Sequence, residues 1–155
     1  MFTNKHIAIA VIVAPLLAIA GWYAVGNISG EKAMPAQPGQ IYPLIASSNC
    51  RYASGECELT NNDLKLHIRA QGAGVLALEL RASHPLEAIL MSVTDPGTDE
   101  GPSAMLRLDS DGLRWSYPLQ TPPRDTDLIR LVAARAGSSY FAQAPTVFLL
   151  PEDTP

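Results

Sequence analysis

The sequence predicts a mainly β protein, in which one N-terminal membrane helix is followed by an antiparallel β-sandwich. Residues 7–25 are apolar throughout, and from residue 49 onward the apolar residues recur at every second position between turn-forming residues. The 155 residues leave room for one membrane segment and one domain. The predicted parts are a cytoplasmic N-terminus (1–6), a transmembrane anchor (7–28), a linker (29–48) and a sandwich domain (49–155).

The apolar segment 7–25 has the length of a membrane helix, since it would span about 28 Å. Lys5 precedes it, whereas the opposite charges of Glu31 and Lys32 cancel on its far side. The positive-inside rule therefore predicts a single-pass protein of the bacterial inner membrane with its C-terminal domain in the periplasm. The alternative is a signal peptide cleaved after Ala20, in the sequence Ala18-Ile19-Ala20. Both interpretations predict an exported domain.

Cys50 and Cys57 are the only two cysteines, and they flank the turn-prone sequence Ala53-Ser54-Gly55. In an oxidising compartment such a pair predicts a structural disulfide that clamps a hairpin. The C-x6-C spacing is not that of a zinc site or of a C-x-x-C redox motif. A redox-active or metal-linked pair and two free thiols are the alternatives.

Alternating apolar residues predict the strands of the sandwich. The sequence of residues 63–70 is the best defined, with Leu64, Leu66 and Ile68 on one face. The same alternation predicts four more inward faces: Leu76, Leu78 and Leu80; Ile89, Met91 and Val93; Ala104, Leu106 and Leu108; and Leu113, Trp115 and Tyr117. Seven to nine short strands are expected, with Trp115 as the largest core residue.

The region from residue 126 to residue 150 admits two interpretations. Asp125 or Thr126 could cap a helix that ends at Gly137, because residues 128–136 include good helix formers. We favour strands, with residues 136–139 as a hairpin turn. Residues 140–143 and 146–150 would then form a closing strand that is broken at Pro145.

Charge and motifs exclude several classes of function. The net charge is −4, without a run of Lys or Arg, which argues against binding to nucleic acid or to anionic lipid. No G-x-S-x-G, H-E-x-x-H or phosphate-binding glycine loop occurs, and the exported part has only His67 and His84 as histidines. We therefore predict no catalytic residue, no cofactor and no enzyme.

Metal binding has few candidate ligands. Met105 is expected on the outward face of its strand, and with His67 and His84 it could bind a soft metal such as copper. Met91 is expected to fill the core. Carboxylates gather in two turns, which could bind calcium but are also ordinary turn chemistry. These are Asp95, Asp99 and Glu100 in one turn, and Asp109 and Asp111 in the other.

The layout of residues 49–150 resembles that of FixH-like membrane-anchored periplasmic proteins. An Asp109-Ser110-Asp111-Gly112 turn leads into a Trp-containing strand, and a closing hairpin follows. This resemblance implies an immunoglobulin-like (Ig-like) sandwich and an accessory role in the assembly or maturation of membrane oxidases and in copper handling. It lies in the layout, so it implies no functional residue.

We expect a non-enzymatic accessory or interaction protein anchored in the inner membrane. Its periplasmic sandwich would dock an envelope protein through a sheet edge or an exposed loop. The alternative is a periplasmic domain that binds a metal such as copper, or a small ligand.

Overall fold

The computed structural model describes residues 5–28 and 37–151, which form two compact units, Met1–Pro35 and Ala36–Pro155. The first unit contains helix α1 (Lys5–Ile28), so the helix expected over residues 7–28 is confirmed as a helix. No helix of the described residues is both long enough and apolar enough to cross a membrane. Residues 1–4, 29–36 and 152–155 lie outside the described residues, as do the predictions made for them.

The second unit is a β domain made of two sheets. In its described residues 37–151, eleven strands replace the seven to nine expected. They are β1 (Ile41–Pro43), β2 (Ile45–Ala46), β3 (Glu56–Asn61), β4 (Leu64–Gln71), β5 (Ala77–Ala82), β6 (Ala88–Thr94), β7 (Ser103–Ala104), β8 (Leu106–Arg107), β9 (Arg114–Pro118), β10 (Leu128–Arg135) and β11 (Ser138–Pro145).

One sheet has five strands in the order β1-β11-β10-β6-β7, and the other has six in the order β2-β3-β4-β5-β9-β8. All neighbouring strands are antiparallel except β1 and β11, which pair in parallel. The two antiparallel-rich sheets share one buried apolar core, an arrangement consistent with a β-sandwich. The mainly β prediction is confirmed.

The alternation in the long strands is confirmed with one exception. Leu64, Leu66 and Ile68 of β4 are buried, and Trp115 of β9 is buried as predicted. The exception is Leu76, which precedes β5 and is exposed. Buried side chains on the other predicted inward faces are Leu78, Leu80, Ile89 and Met91.

The region that could have been a helix is strand β10, which forms a hairpin with β11. Ala136 and Gly137 connect the two strands, both with positive φ (50° and 76°), as a tight two-residue hairpin turn requires. The predicted closing strand is wrong after Pro145. Residues Val147–Leu149 form a 3₁₀ helix whose Phe148 lies in the core.

The chain changes sheet at two single residues, and both changes correct the predictions. Leu44 separates β1 from β2, so part of the linker expected over residues 29–48 is domain. Met105 separates β7 from β8, and its backbone N–H donates to the carbonyl of Ile89. Because the strand switches sheets there, Met105 is buried, whereas Ala104, Leu106 and Leu108, the predicted inward face, are exposed.

Candidate functional site

The disulfide between Cys50 and Cys57 is present, as predicted, with both sulfurs buried in the core. Its location differs from the prediction. Cys50 lies in a 3₁₀ helix (Ser48–Arg51) and Cys57 in β3, so the bond joins a helical turn to a strand instead of two strands of a hairpin. Gly55, between the cysteines, donates its N–H to the carbonyl of Phe148. The bond therefore fixes a segment that also covers the end of the core.

The structure places the three candidate metal ligands in different environments. Met105 is a core residue, His67 lies on the outer face of the six-stranded sheet, and His84 lies in the loop between β5 and β6. The imidazole Nδ1 of His84 is 2.9 Å from the hydroxyl of Ser83. In the described part of the chain, no three His, Cys, Asp or Glu side chains form a group that could hold a metal ion.

His67 is held between two carboxylates of the neighbouring strand β3. Its Nδ1 is 2.6 Å from Oε1 of Glu56, and its Nε2 is 3.3 Å from Oε2 of Glu58. The two ring nitrogens thus point to different carboxylates, and a protonated ring donates to both. This geometry orients the ring but does not direct several ligand atoms to one point.

The turn carboxylates have partners in their own turns. Asp109 Oδ1 accepts the N–H of Leu113, and Asp95 Oδ1 accepts the N–H of Gly97. The turn that contains Asp109 also needs Gly112, because a Cβ at that position would lie 2.5 Å from the carbonyl oxygen of Leu86. These bonds are the ordinary turn chemistry of aspartate.

The most unusual charged group is the buried carboxylate of Glu79, and its burial was not predicted from the sequence. Glu79 points outward from β5, yet its side chain is only 7% exposed, because the side chains of three arginines surround it. Arg69 is directly opposite Glu79 on β4, whereas Arg81 and Arg114 are directly opposite each other on β5 and β9. We call Glu79 and these three arginines the arginine cluster.

Both oxygens of Glu79 accept hydrogen bonds from the arginine cluster. Oε2 accepts from Arg69 Nη2 at 3.1 Å, and Oε1 accepts from Arg81 Nε at 3.0 Å and from Arg114 Nε and Nη2 at 3.2 Å. Burial alone would raise the pKa of Glu79, but the hydrogen bonds from Arg81, Arg69 and Arg114 outweigh it and lower the pKa. The carboxylate is therefore ionised near neutral pH, and the cluster carries a net charge of +2.

The outer face of the five-stranded sheet has the opposite character. One cross-strand row is apolar in every strand and runs over β1, β11, β10, β6 and β7. Phe141, Val132 and Leu90 at its centre are 46%, 39% and 40% exposed. The row consists of Pro43, Phe141, Val132, Leu90 and Ala104, and we call it the apolar row.

The edges of both sheets are short. Each edge strand, β1 and β7 of one sheet and β2 and β8 of the other, has only two or three residues. Short edges offer few unpaired backbone groups to an added strand. The edge docking expected from the sequence therefore finds only two or three residues in each edge strand.

A cleft of about 590 Å³ opens beside β6, β7 and the end of β9. At one side the hydroxyls of Ser103 and Tyr117 lie 3.1 Å apart and link the two sheets. Asp127, also at the cleft, accepts hydrogen bonds from the backbone N–H and the guanidinium of Arg124. Thr94 in the wall holds the one buried side-chain oxygen that lacks a hydrogen-bond partner among the described residues.

These features define a disulfide-stabilised β domain of two sheets, with one charged and one apolar outer face. No protein-family model, curated protein or solved structure matches the chain.

Proposed function

We propose that this chain is a non-enzymatic interaction protein of the bacterial envelope, held at the inner membrane by α1, which docks an envelope protein through the apolar row. The observation that carries the proposal is the continuity of that row across five strands. Exposed apolar patches with a polar border are typical of protein interaction sites. Here Arg130 and Gln143, directly opposite each other, supply the border on one side.

The docking surface is therefore a sheet face and not a sheet edge. A face places side chains of five strands against the partner at once, whereas the two-residue edge β7 offers almost no ladder for a sixth strand. Ile41, which is 68% exposed, extends the apolar surface along β1. An apolar and rather flat partner surface would complement this face.

Export and anchoring are supported by two features. Disulfides persist in oxidising compartments such as the periplasm, and the only two cysteines of the chain are joined. Residues 7–25 of α1 are apolar around the whole circumference of the helix, as is typical of a helix that needs an apolar environment. A reporter active only in the periplasm, fused after Pro155, tests the orientation. An intact but inactive fusion would contradict it, and a mature N-terminus at Gly21 would contradict the anchor.

The strand order supports an Ig-like sandwich. Strands β4, β5, β9 and β8 are neighbours in that order, as are A, B, E and D of an immunoglobulin domain. Strands β11, β10, β6 and β7 follow the order G, F, C and C′. In this interpretation β2 and β3 extend the first sheet beyond strand A.

Site-specific photo-cross-linking in cells tests the docking face. A photoreactive residue at Leu90, on the apolar row, should give one discrete cross-linked product, and one at Ser116, on the outer face of the other sheet, should give none. Phe141→Lys should reduce the product severalfold, since it places a charge in the row. Leu106→Lys, at an exposed apolar residue of the other sheet, is the matched control. Equal loss in both variants would reject the docking face.

Small-ligand binding is the second candidate, and the cleft favours it. Its volume falls in the range of ligand sites, and the buried hydroxyl of Thr94 in its wall has no hydrogen-bond partner among the described residues. Native mass spectrometry of the full chain should then show a bound small molecule. Thr121→Trp, which fills the cleft, should remove that added mass, whereas Tyr52→Trp, in an exposed turn far along the sequence, should retain it. A spectrum without added mass would favour the docking role alone.

A further inference from the structure

The arginine cluster has more hydrogen-bond donors than its own carboxylate can use. Each guanidinium carries five N–H donors, and Glu79 takes one from Arg69, one from Arg81 and two from Arg114. The remaining donors have no side-chain or carbonyl partner among the described residues. The three side chains are 46%, 51% and 48% exposed, so these donors are within reach of a ligand.

The buried carboxylate holds the guanidiniums in place. Arg81 and Arg114 are directly opposite each other on adjacent strands, and like charges in that position repel. Glu79 Oε1 bonds to both and so keeps the two groups side by side. Guanidiniums fixed in this way lose little conformational freedom when they bind an anion.

The acidic residues next to the cluster on this face belong to β3, where Glu56 is directly opposite Arg69 and Glu58 is directly opposite His67. In the cross-strand row of Arg81, the neighbours are Arg114 on β9 and His67 on β4, and Glu58 follows only on β3. Glu56 and Glu58 are both directed to the imidazole of His67. The surface next to Arg81 and Arg114 is therefore positive.

We propose that the arginine cluster is a binding site for a phosphate group. A phosphate monoester carries a charge between about −1.5 and −2 near pH 7, which matches the net +2 of the cluster, and its oxygens suit the fork of donors on arginine. The group belongs to a soluble phosphate monoester or, as a diester with a single negative charge, to a phospholipid headgroup. The site is separate from the apolar row, because the two lie on different sheets.

Titration with inorganic phosphate tests the site, with the full-length chain in maltoside micelles. The arginine Nε–Hε signals are followed by NMR against chloride at the same ionic strength. Phosphate should shift the signals of Arg81 and Arg114 in a saturable manner. Arg81→Gln should weaken the apparent affinity by about tenfold, as expected for the loss of charge-assisted hydrogen bonds. Arg81→Lys, which retains the charge but not the fork, should also weaken it.

Lys65→Gln is the matched control, because Lys65 is a cation of the same sheet face outside the cluster. It should leave the phosphate affinity within twofold of wild type, and the thermal midpoint of each variant shows that it is folded. Equal shifts with phosphate and chloride, or equal loss in Lys65→Gln and Arg81→Gln, would overturn the proposal.

Nanodiscs distinguish the two sources of phosphate. The same signals are compared in phosphatidylcholine discs with and without phosphatidylglycerol, in the absence of free phosphate. Shifts that require phosphatidylglycerol and disappear in Arg81→Gln assign the site to a lipid headgroup. Shifts produced by free phosphate alone assign it to a soluble compound. If neither condition shifts the signals, the proposal is wrong.

Discussion

At the scale of single residues, Trp115 joins the core to the turn that precedes β9. Its side chain is buried, its Nε1 donates to the carbonyl of Gly112 at 3.0 Å, and the guanidinium of Arg107 lies 5.0 Å from its ring centre. Trp115→Ala should lower the free energy of unfolding by about 3 to 5 kcal/mol. Ser116→Ala, next in sequence but facing solvent, should change it by less than about 0.5 kcal/mol. Urea unfolding followed by circular dichroism measures both, and similar costs would show that the register of β9 is wrong.

Glu79 gives the domain a pH-dependent contribution to stability. Its pKa is lowered in the folded state, so the ionised form stabilises the fold above its ordinary value of 4.5, and this contribution is lost as the pH falls through the folded pKa. Glu79→Gln should therefore cost about 1 to 2 kcal/mol at pH 7, a value kept small by the half-exposed arginines. Urea midpoints at pH 7 and pH 3 should show a smaller difference from wild type at pH 3. Glu100→Gln, an exposed control, should follow wild type, and a pH-independent loss in Glu79→Gln would contradict the argument.

The sequence could show the faces of individual residues but not the groups that they form. Trp115 follows the alternation of its strand, and its burial was predictable for that reason. Arg69, Arg81 and Arg114 are far apart in sequence, and only the pairing of β4, β5 and β9 brings them to one carboxylate. The sequence has no run of basic residues, and for that reason no basic patch was predicted. The pairing of three strands nevertheless assembles one.

At the scale of elements, the disulfide joins the 3₁₀ helix Ser48–Arg51 to β3. Closing so short a loop stabilises the fold by about 2 to 3 kcal/mol, because it restricts the unfolded chain. The double variant Cys50→Ser, Cys57→Ser should therefore unfold several degrees below wild type. Reductant should lower the wild-type midpoint by a similar amount and leave the variant unchanged. Free thiols in protein purified without reductant would contradict a structural role.

The long strands were predictable, whereas the short ones were not. Strand β4 has eight residues and β6 has seven, enough for alternation to indicate a face. Strands β2, β7 and β8 have two residues each, which contain no periodic signal. A single-residue change of sheet also inverts the alternation, which is why Met105 was expected outside and lies in the core.

At the scale of the whole molecule, the two outer faces of the domain differ in chemistry. The five-stranded sheet presents the apolar row, and the six-stranded sheet presents the arginine cluster. Both faces contain residues from at least three strands, so their geometry depends on the register of the complete domain. A partner and an anion could therefore bind at the same time without competing for the same residues.

The boundary of the domain is the last test of this architecture. The compact β unit begins at Ala36, thirteen residues before the boundary predicted at residue 49 from the sequence. Those residues include β1, which pairs with β11, and the core residue Leu44, whose N–H donates to the carbonyl of Phe141. A fragment of residues 36–155 should unfold cooperatively at the midpoint of the domain in the full chain. A fragment of residues 49–155 should lose at least about 3 kcal/mol, since it exposes the β11 edge and leaves the Leu44 site empty. Equal midpoints for the two fragments would show that β1 and β2 are not part of the folded unit.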